Sequence, residues 1–286
     1  MVEPQIPDLE IWYGLAIVPG KTLLPPILGM EDTPCRLIEA GELGMVGCPV
    51  SWSAYNQQAM HMHMEELAWV EAHARRHEQV IQTIMDSIPA IPLPFATVFI
   101  NEDRVREELT AKDGTLHQEL ERLGRSRELT VKLWANRDVL AVKLKDSLPF
   151  EGGQGGSDYF RKRRWEKTFD ERVESLCNEY GETLFQSLKE LAQEVQLRET
   201  AGIEPRPGLS PVFIATFMIK TEGYPAWQAK VAAFDQTADP WGFVLDISGP
   251  WPPYHFTGPV GGESDIGGNR GREAGKIAGS TGEAAG

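Results

Sequence analysis

Leu9-Glu10-Ile11-Trp12-Tyr13-Gly14-Leu15-Ala16-Ile17-Val18 is apolar on both of its alternating faces, with Ile11, Tyr13, Leu15 and Ile17 on one and Trp12, Ala16 and Val18 on the other. A strand with one wet face alternates apolar and polar residues. One that is apolar on both sides belongs inside a sheet covered above and below. Pro19-Gly20 and Pro25-Pro26 end the run, and Cys35 to Val50, punctuated by Gly41, Gly44 and Gly47, reads as a loose hairpin. Tyr55 to Ser87 follows as a helical stretch with an imperfect stripe through Leu67, Val70, Ala74, Val80, Ile81, Ile84 and Met85. Ile88-Pro89 closes it.

Ile91 to Ile100 carries Pro92 and Pro94, which cannot donate to a ladder, so this segment is expected as an extended piece becoming a short edge strand. Asn101 has the position of an N-cap, Glu102 and Asp103 suit the first turn, and Val105 and Leu109 supply the apolar side. Leu116, Leu120 and Leu123 predict a second short helix stopped by Gly124. Glu128 to Ala135 alternates Leu129, Val131 and Leu133 against Thr130, Lys132 and Trp134, the pattern of a strand with one buried face. Gly152-Gly153-Gln154-Gly155-Gly156 predicts a flexible hinge, and Ser157 or Asp158 can cap a helical region running to about Glu199. Such a rod would reach about 60 Å, so a break is expected near Gly181. Val212 to Ile219 reads as a central strand, Tyr224 to Phe234 as a helix and Trp241 to Ile247 as the last strand. The pattern implies an α+β protein of two domains: an N-terminal α+β domain over 1–125 and a ferredoxin-like domain over 126–256. The Gly-rich remainder, 257–286, has no apolar period and is expected to be a disordered C-terminal tail.

Gly249-Pro250-Trp251-Pro252-Pro253-Tyr254-His255-Phe256 stiffens the end of the second half. Prolines fix φ and withhold donors, so the segment should leave the ladder and hold its rings on an extended strap. Each ring hides roughly 150 to 250 Å² when buried, more in total than a soluble monomer leaves open to water. Inward docking is therefore expected. Trp251, Tyr254 and Phe256, with Phe95, Thr97 and Phe99 of the open edge, are the candidate partner-binding residues, since an open edge can accept another chain.

The chain has 286 residues, is 41% hydrophobic and carries a net charge of −14. That charge opposes long-range attraction to nucleic acid or anionic lipid, so neither nucleic acid nor membrane is expected as a partner. No apolar run approaches the roughly 20 residues that span a bilayer, and Met1-Val2-Glu3-Pro4 lacks the basic and apolar regions of a signal peptide. A cytoplasmic protein is expected. Cys35, Cys48 and Cys177 are odd in number and lack CxxC spacing, so they read as small buried hydrophobes in a reducing compartment.

No cofactor, metal or catalytic residue is predicted. In Met60-His61-Met62-His63-Met64 the two imidazoles lie about 200° apart on a helix and cannot share an ion. His73 and His77 do share a face, yet no third ligand is identifiable, and His77 and Glu78 can instead hydrogen-bond the Pro-rich segment that follows. The hinge leading into Arg161, Lys162, Arg163 and Arg164 could cradle an anion, which keeps a small-ligand enzyme as the alternative. It matches neither GxxxxGK[ST] nor GxGxxG, and GxSxG and HExxH are also missing.

Four ordered segments resemble the gas vesicle accessory proteins of the GvpF/GvpL family. They are Ile11-Trp12-Tyr13-Gly14; His77-Glu78-Gln79-Val80 with the following Pro92, Pro94-Phe95 and Thr97-Val98-Phe99; Leu120, Leu123-Gly124 and Glu128 to Lys132; and the closing GPWPPYHF, which is the most specific. Pro94 stands where the family usually has Arg, and Ala96 where it has Gly. The resemblance implies a non-enzymatic assembly factor that binds the hydrophobic gas vesicle shell subunit and other accessory proteins, with no cofactor.

Overall fold

The computed structural model describes residues 9–147, 156–201, 203–204 and 206–258. Most of the expected hinge and the tail beyond Gly258 lie outside the described residues. The chain divides into two compact units, Met1–Arg127 with Pro250–Gly286, and Glu128–Gly249. The strap, grouped with the C-terminal domain on sequence, thus clusters with the first unit.

In the first unit, β1 (Glu10–Pro19) is the interior strand its two apolar faces predict. The five-stranded sheet has the order β2-β3-β1-β4, with β2 (Arg36–Ala40), β3 (Leu43–Ser51) and β4 (Ile91–Pro92), and β5 (Val98–Phe99) also pairs with β1. The β2–β3 hairpin is tight rather than loose: Ala40 pairs with Leu43, and Gly41 turns with φ +64. Pairing of β1 with β3 shifts between Gly14↔Gly47 and Ala16↔Val46. Leu15 is the extra residue of a bulge, and a bulge reverses which side chains share a face. Ile11, Tyr13 and Leu15 therefore join Ala16 and Val18 in one core cluster, while Ile17, expected with the first three, is buried outside it.

The expected helix over Tyr55–Ser87 is three: α1 (Trp52–Tyr55), α2 (Gln57–His63) and α3 (Leu67–Ser87). Asn56 ends the first and caps the second by accepting from the Ala59 N–H at 3.0 Å. Val80, Ile81, Ile84 and Met85 of α3 pack into the β1 cluster. α4 (Glu102–Ala111) and α5 (Asp113–Leu123) contact the same sheet and bury Val105, Leu109, Leu116 and Leu123. Asn101 caps α4 as expected, accepting from the Arg104 N–H at 2.9 Å.

The second sheet has the order β7-β8-β6-β9, built from β6 (Ser126–Ala135), β7 (Glu194–Arg198), β8 (Ser210–Lys220) and β9 (Phe243–Trp251). Helices α6 (Arg137–Ser147) and α7 (Gly156–Lys189) separate β6 from β7, and α8 (Tyr224–Ala238) separates β8 from β9. Helix α6 is not foretold by its sequence: among its described residues, Leu140 and Leu144 mark the buried side. No break occurs at Gly181. A Cβ there would stand 2.8 Å from Val212 Cγ1, so the glycine serves close approach of α7 to β8. The helical region stops at Lys189, and residues expected to extend it form β7, paired antiparallel with β8. β9 also runs farther than expected, through Pro250 to Trp251, which an outer strand tolerates because its free side needs no N–H. No helix of the described residues is long and apolar enough to cross a membrane.

Gly47 gives a sharp test of the first sheet, since a Cβ there would meet the Tyr13 carbonyl oxygen at 2.7 Å. Gly47→Ala is expected to cost about 1–3 kcal/mol of stability through this overpacking, read from the urea midpoint.

Candidate functional site

Pro89, Pro92 and Pro94 leave the segment after α3 short of donors, so its shape must come from side chains. Pro94-Phe95-Ala96-Thr97 forms a turn in which the Thr97 hydroxyl donates to the Pro94 carbonyl at 2.7 Å and the Thr97 N–H approaches the same oxygen at 3.3 Å. Ala96, third in the turn, has φ +65, a conformation that favours glycine. Its N–H donates to the Tyr13 hydroxyl oxygen at 2.9 Å.

Behind this turn lies His77. Its Nε2 is 3.2 Å from the Leu93 carbonyl oxygen, which can only accept, so Nε2 carries the proton. Nδ1, 3.1 Å from the Tyr13 oxygen, therefore accepts the Tyr13 O–H. One directed chain, Ala96 N–H to Tyr13 O–H to His77 to Leu93 C=O, ties β1, α3 and the Pro-rich edge together. The hydrogen bond expected from His77 to the Pro-rich segment is present. Burial pushes the His77 pKa down to about 4, opposed by the Leu93 hydrogen bond, and burial drives the Tyr13 hydroxyl well above its ordinary range.

Phe95 is only 7% exposed, edge-on to His77 at 5.6 Å and tilted against Trp69 at 6.4 Å. Trp69 is itself sandwiched, with His73 stacked at 3.7 Å and His63 at 4.5 Å. Thr97 is 5% exposed, and its carbonyl accepts from the Gly14 N–H at 2.9 Å. Phe99 is half-buried, opposite Trp12 on β1, and the next residue, Ile100, is 41% exposed.

The strap meets the same hub. Tyr254, half-buried, stacks over His77 at 6.5 Å and packs on the core cluster of β1. Pro252, Pro253 and Phe256 are buried, and Trp251 is half-buried. Arg122 on α5 donates from Nη2 to the Phe256 carbonyl at 2.6 Å while pairing with Glu119. Of the six candidate residues, Phe95, Thr97 and Phe256 thus face inward, and Phe99, Trp251 and Tyr254 keep some exposed surface. Tyr13, Arg122 and the Trp69 stack escaped the sequence reading. The Tyr-Gly pair of β1 lay inside a quoted motif, but nothing in the sequence points Arg122 at a carbonyl 134 residues away.

This geometry holds shape and offers little to a substrate. His77 has spent both nitrogens on protein partners, so the His73/His77 pair presents no shared metal site. Among the described residues no three His, Cys, Asp or Glu side chains are grouped to hold a metal ion. Lys162, Arg163 and Arg164 of the suggested anion site lie exposed along α7, and Gly152–Gly155 fall outside the described residues.

A family described as gas vesicle synthesis protein GvpL/GvpF matches residues 11–258, from β1 through the strap. The chain belongs to that family. It is 26% identical over 234 residues to gas vesicle protein L of Streptomyces sp. (strain CB03234), covering 80% of this chain and 85% of the relative. Its fold is similar to the crystal structure of GvpF from Anabaena sp. PCC7120, with a TM-score of 0.60, 17% identity, and 86% of this chain and 95% of that one covered. GvpF from Microcystis aeruginosa gives 0.59 at 18% identity, covering 86% and 98%. For this GvpL/GvpF chain, a gas vesicle accessory role follows from the family, and the mixed helix-and-sheet fold from the structures.

Two measurements test the hub. The unfolded His77 titrates near 6.5 and the folded one near 4. Above pH 6.5 its stabilisation is complete. As pH falls toward 4 the unfolded chain takes up a proton that the folded hub refuses, so about 3 kcal/mol should be lost. His77→Gln can keep both hydrogen bonds without titrating, and the stability difference between wild type and variant should shrink over that window. A difference that stays level from pH 7 to 4 would contradict the assignment. Phe256→Ala should cost about 3–5 kcal/mol, seen as a lowered melting temperature, if the strap is docked.

Proposed function

We propose that this protein is a non-catalytic gas vesicle assembly factor that binds the hydrophobic shell subunit and other accessory proteins in the cytoplasm while the vesicle forms. The family match over residues 11–258 carries this reading. A very apolar subunit waiting to polymerise exposes strand edges, and a soluble partner that pairs with them limits aggregation in a chaperone-like way. The strand–helix–helix–strand–strand–helix–strand order of the second half, a split βαβ pattern with one added helix, and its β7-β8-β6-β9 sheet support a ferredoxin-like domain as the second part of a two-domain scaffold.

The docking edge proposed is Phe95–Phe99. β5 pairs with β1 on one side through Tyr13↔Val98 and Trp12↔Phe99, and among the described residues no strand takes its other side. Phe95 and Thr97 shape the edge from within. Phe99, with the half-exposed Trp251 and Tyr254 of the strap as secondary contacts, supplies side chains to the partner.

Co-expression of a tagged chain with the shell subunit should yield both on purification. Phe99→Lys should reduce the recovered subunit at least about tenfold, as expected when a buried contact is replaced by a charge. Its melting curve should stay close to wild type. Undiminished recovery with Phe99→Lys would move the interface elsewhere, and no recovery with the wild-type chain in a complete reconstituted gene set would sink the binding role.

A further inference from the structure

Cys35 and Cys48 read from sequence as unconnected small hydrophobes, yet the fold sets them face to face. Pairing of β2 with β3 runs from Ala40↔Leu43 to Arg36↔Gly47, and one further step places Cys35 opposite Cys48. Opposed residues on antiparallel strands have Cα atoms about 4.5–5.5 Å apart and point to the same side. Disulfides accept Cα separations of about 4.4–6.8 Å, a range that includes pairs set opposite each other in this way. Both sulfurs press on one point of the neighbouring loop: a Cβ built on Gly29 would lie 2.5 Å from Cys48 Sγ and 3.0 Å from Cys35 Sγ.

The two thiols are unequal. Cys48 is fully buried and Cys35 half-buried, and both are free. Cys48 sulfur accepts from the Met30 N–H at 3.3 Å. It also accepts the Cys35 S–H, which holds the Cys48 thiol below the ordinary range and raises that of Cys35. Desolvation and the Glu31 carboxylate work against the Cys48 thiolate, and Arg76 favours negative charge at Cys35. Arg76 is fixed beside the pair by donating to the Gly29 carbonyl at 3.0 Å and to Asp32 at 2.7 Å. Cys35 is the more exposed of the two, and Cys48, the sulfur that more readily carries negative charge, lies beside it.

We infer that Cys35 and Cys48 are a reversible redox site, closed to a cross-strand disulfide by low-molecular-weight disulfides such as oxidised glutathione. In the first step Cys35 passes its proton to Cys48 and its thiolate attacks one sulfur of the reagent. That S–S bond breaks, and the first small thiolate leaves. The departing thiolate takes the proton from Cys48. Cys48 thiolate then attacks Cys35 Sγ, breaking the mixed disulfide and releasing the second small thiolate, which is protonated from solvent. Starting from the Cys35 thiol and the Cys48 thiolate, the protein loses two electrons and one proton, solvent supplies the second proton, and one reagent disulfide becomes two thiols. Cys177, buried in the second unit, is an internal control.

The test incubates the reduced full-length chain with oxidised glutathione near neutral pH, alkylates remaining thiols in denaturant, and reads intact and peptide masses. The wild type should carry one alkyl group in place of three and yield a peptide pair linked through Cys35 and Cys48. Cys48→Ser should stop with glutathione on Cys35, and Cys35→Ser should gain no adduct. Three alkyl groups on the wild type, glutathione retained on wild-type Cys35, or a linkage formed only after unfolding would each overturn the site. If Cys48→Ser does not fold, presence or absence of the linked wild-type peptide decides alone.

Discussion

The Tyr13 hydroxyl is donor and acceptor at once, and the first unit is organised around that fact. Three prolines after α3 remove backbone donors from a segment that must nevertheless lie flush against β1. Tyr13 receives the Ala96 N–H and gives its own proton to His77, which passes a donor on to Leu93. Because Tyr13 and His77 are buried, each lost link would strand a polar group away from water, at about 1–3 kcal/mol each. The chain is therefore all or nothing: a strand, a helix and an edge segment hold one another in register. The strap adds a lid, with Tyr254 lying over the His77 ring.

Much of the first unit was legible because its signals are local. The two-faced apolar run of β1 predicts an interior strand, and Asn101 predicts a helix start by the same hydrogen bond that the structure contains. What escaped was non-local or depended on one inserted residue. The bulge at Leu15 exchanges Ile17 for Ala16 and Val18 in the core, and since every residue from 11 to 18 except glycine is apolar, periodicity could not reveal the change of face. Legibility of the candidate site divides in the same way. Phe95 and Thr97 were recognisable as special positions, yet their burial under Trp69 and beside Gly14 depends on partners 26 and 83 residues away in the chain, which spacing rules do not reach.

The second half shows how one residue type can be read two ways. Glycine in a long helical pattern suggests a bend, because it weakens the helix by about 1 kcal/mol relative to Ala. At Gly181 it instead removes a side chain where β8 presses closest, and the helix continues for eight more residues to Lys189. Helix α6 fails to announce itself for the opposite reason: its exposed Val139 and Val142 blur the stripe made by Leu140 and Leu144. Both differences arise because tertiary packing outweighs local preference once a sheet is available to pack on.

Ala96 is where the first unit carries backbone strain. A non-glycine residue at φ +65 costs about 1–2 kcal/mol. The conformation persists because it is determined from both sides, by the Ala96 N–H on Tyr13 and by the two Thr97 contacts to Pro94. The methyl group recovers part of the cost by packing against the Phe95–Ala74 cluster. A rigid hub can carry such a residue; a soft loop would relax away from it. Strain retained at the turn is thus a physical reason to regard the Phe95–Phe99 edge as preorganised, so that a partner strand pairing there would meet a surface whose ordering cost has already been met within the fold.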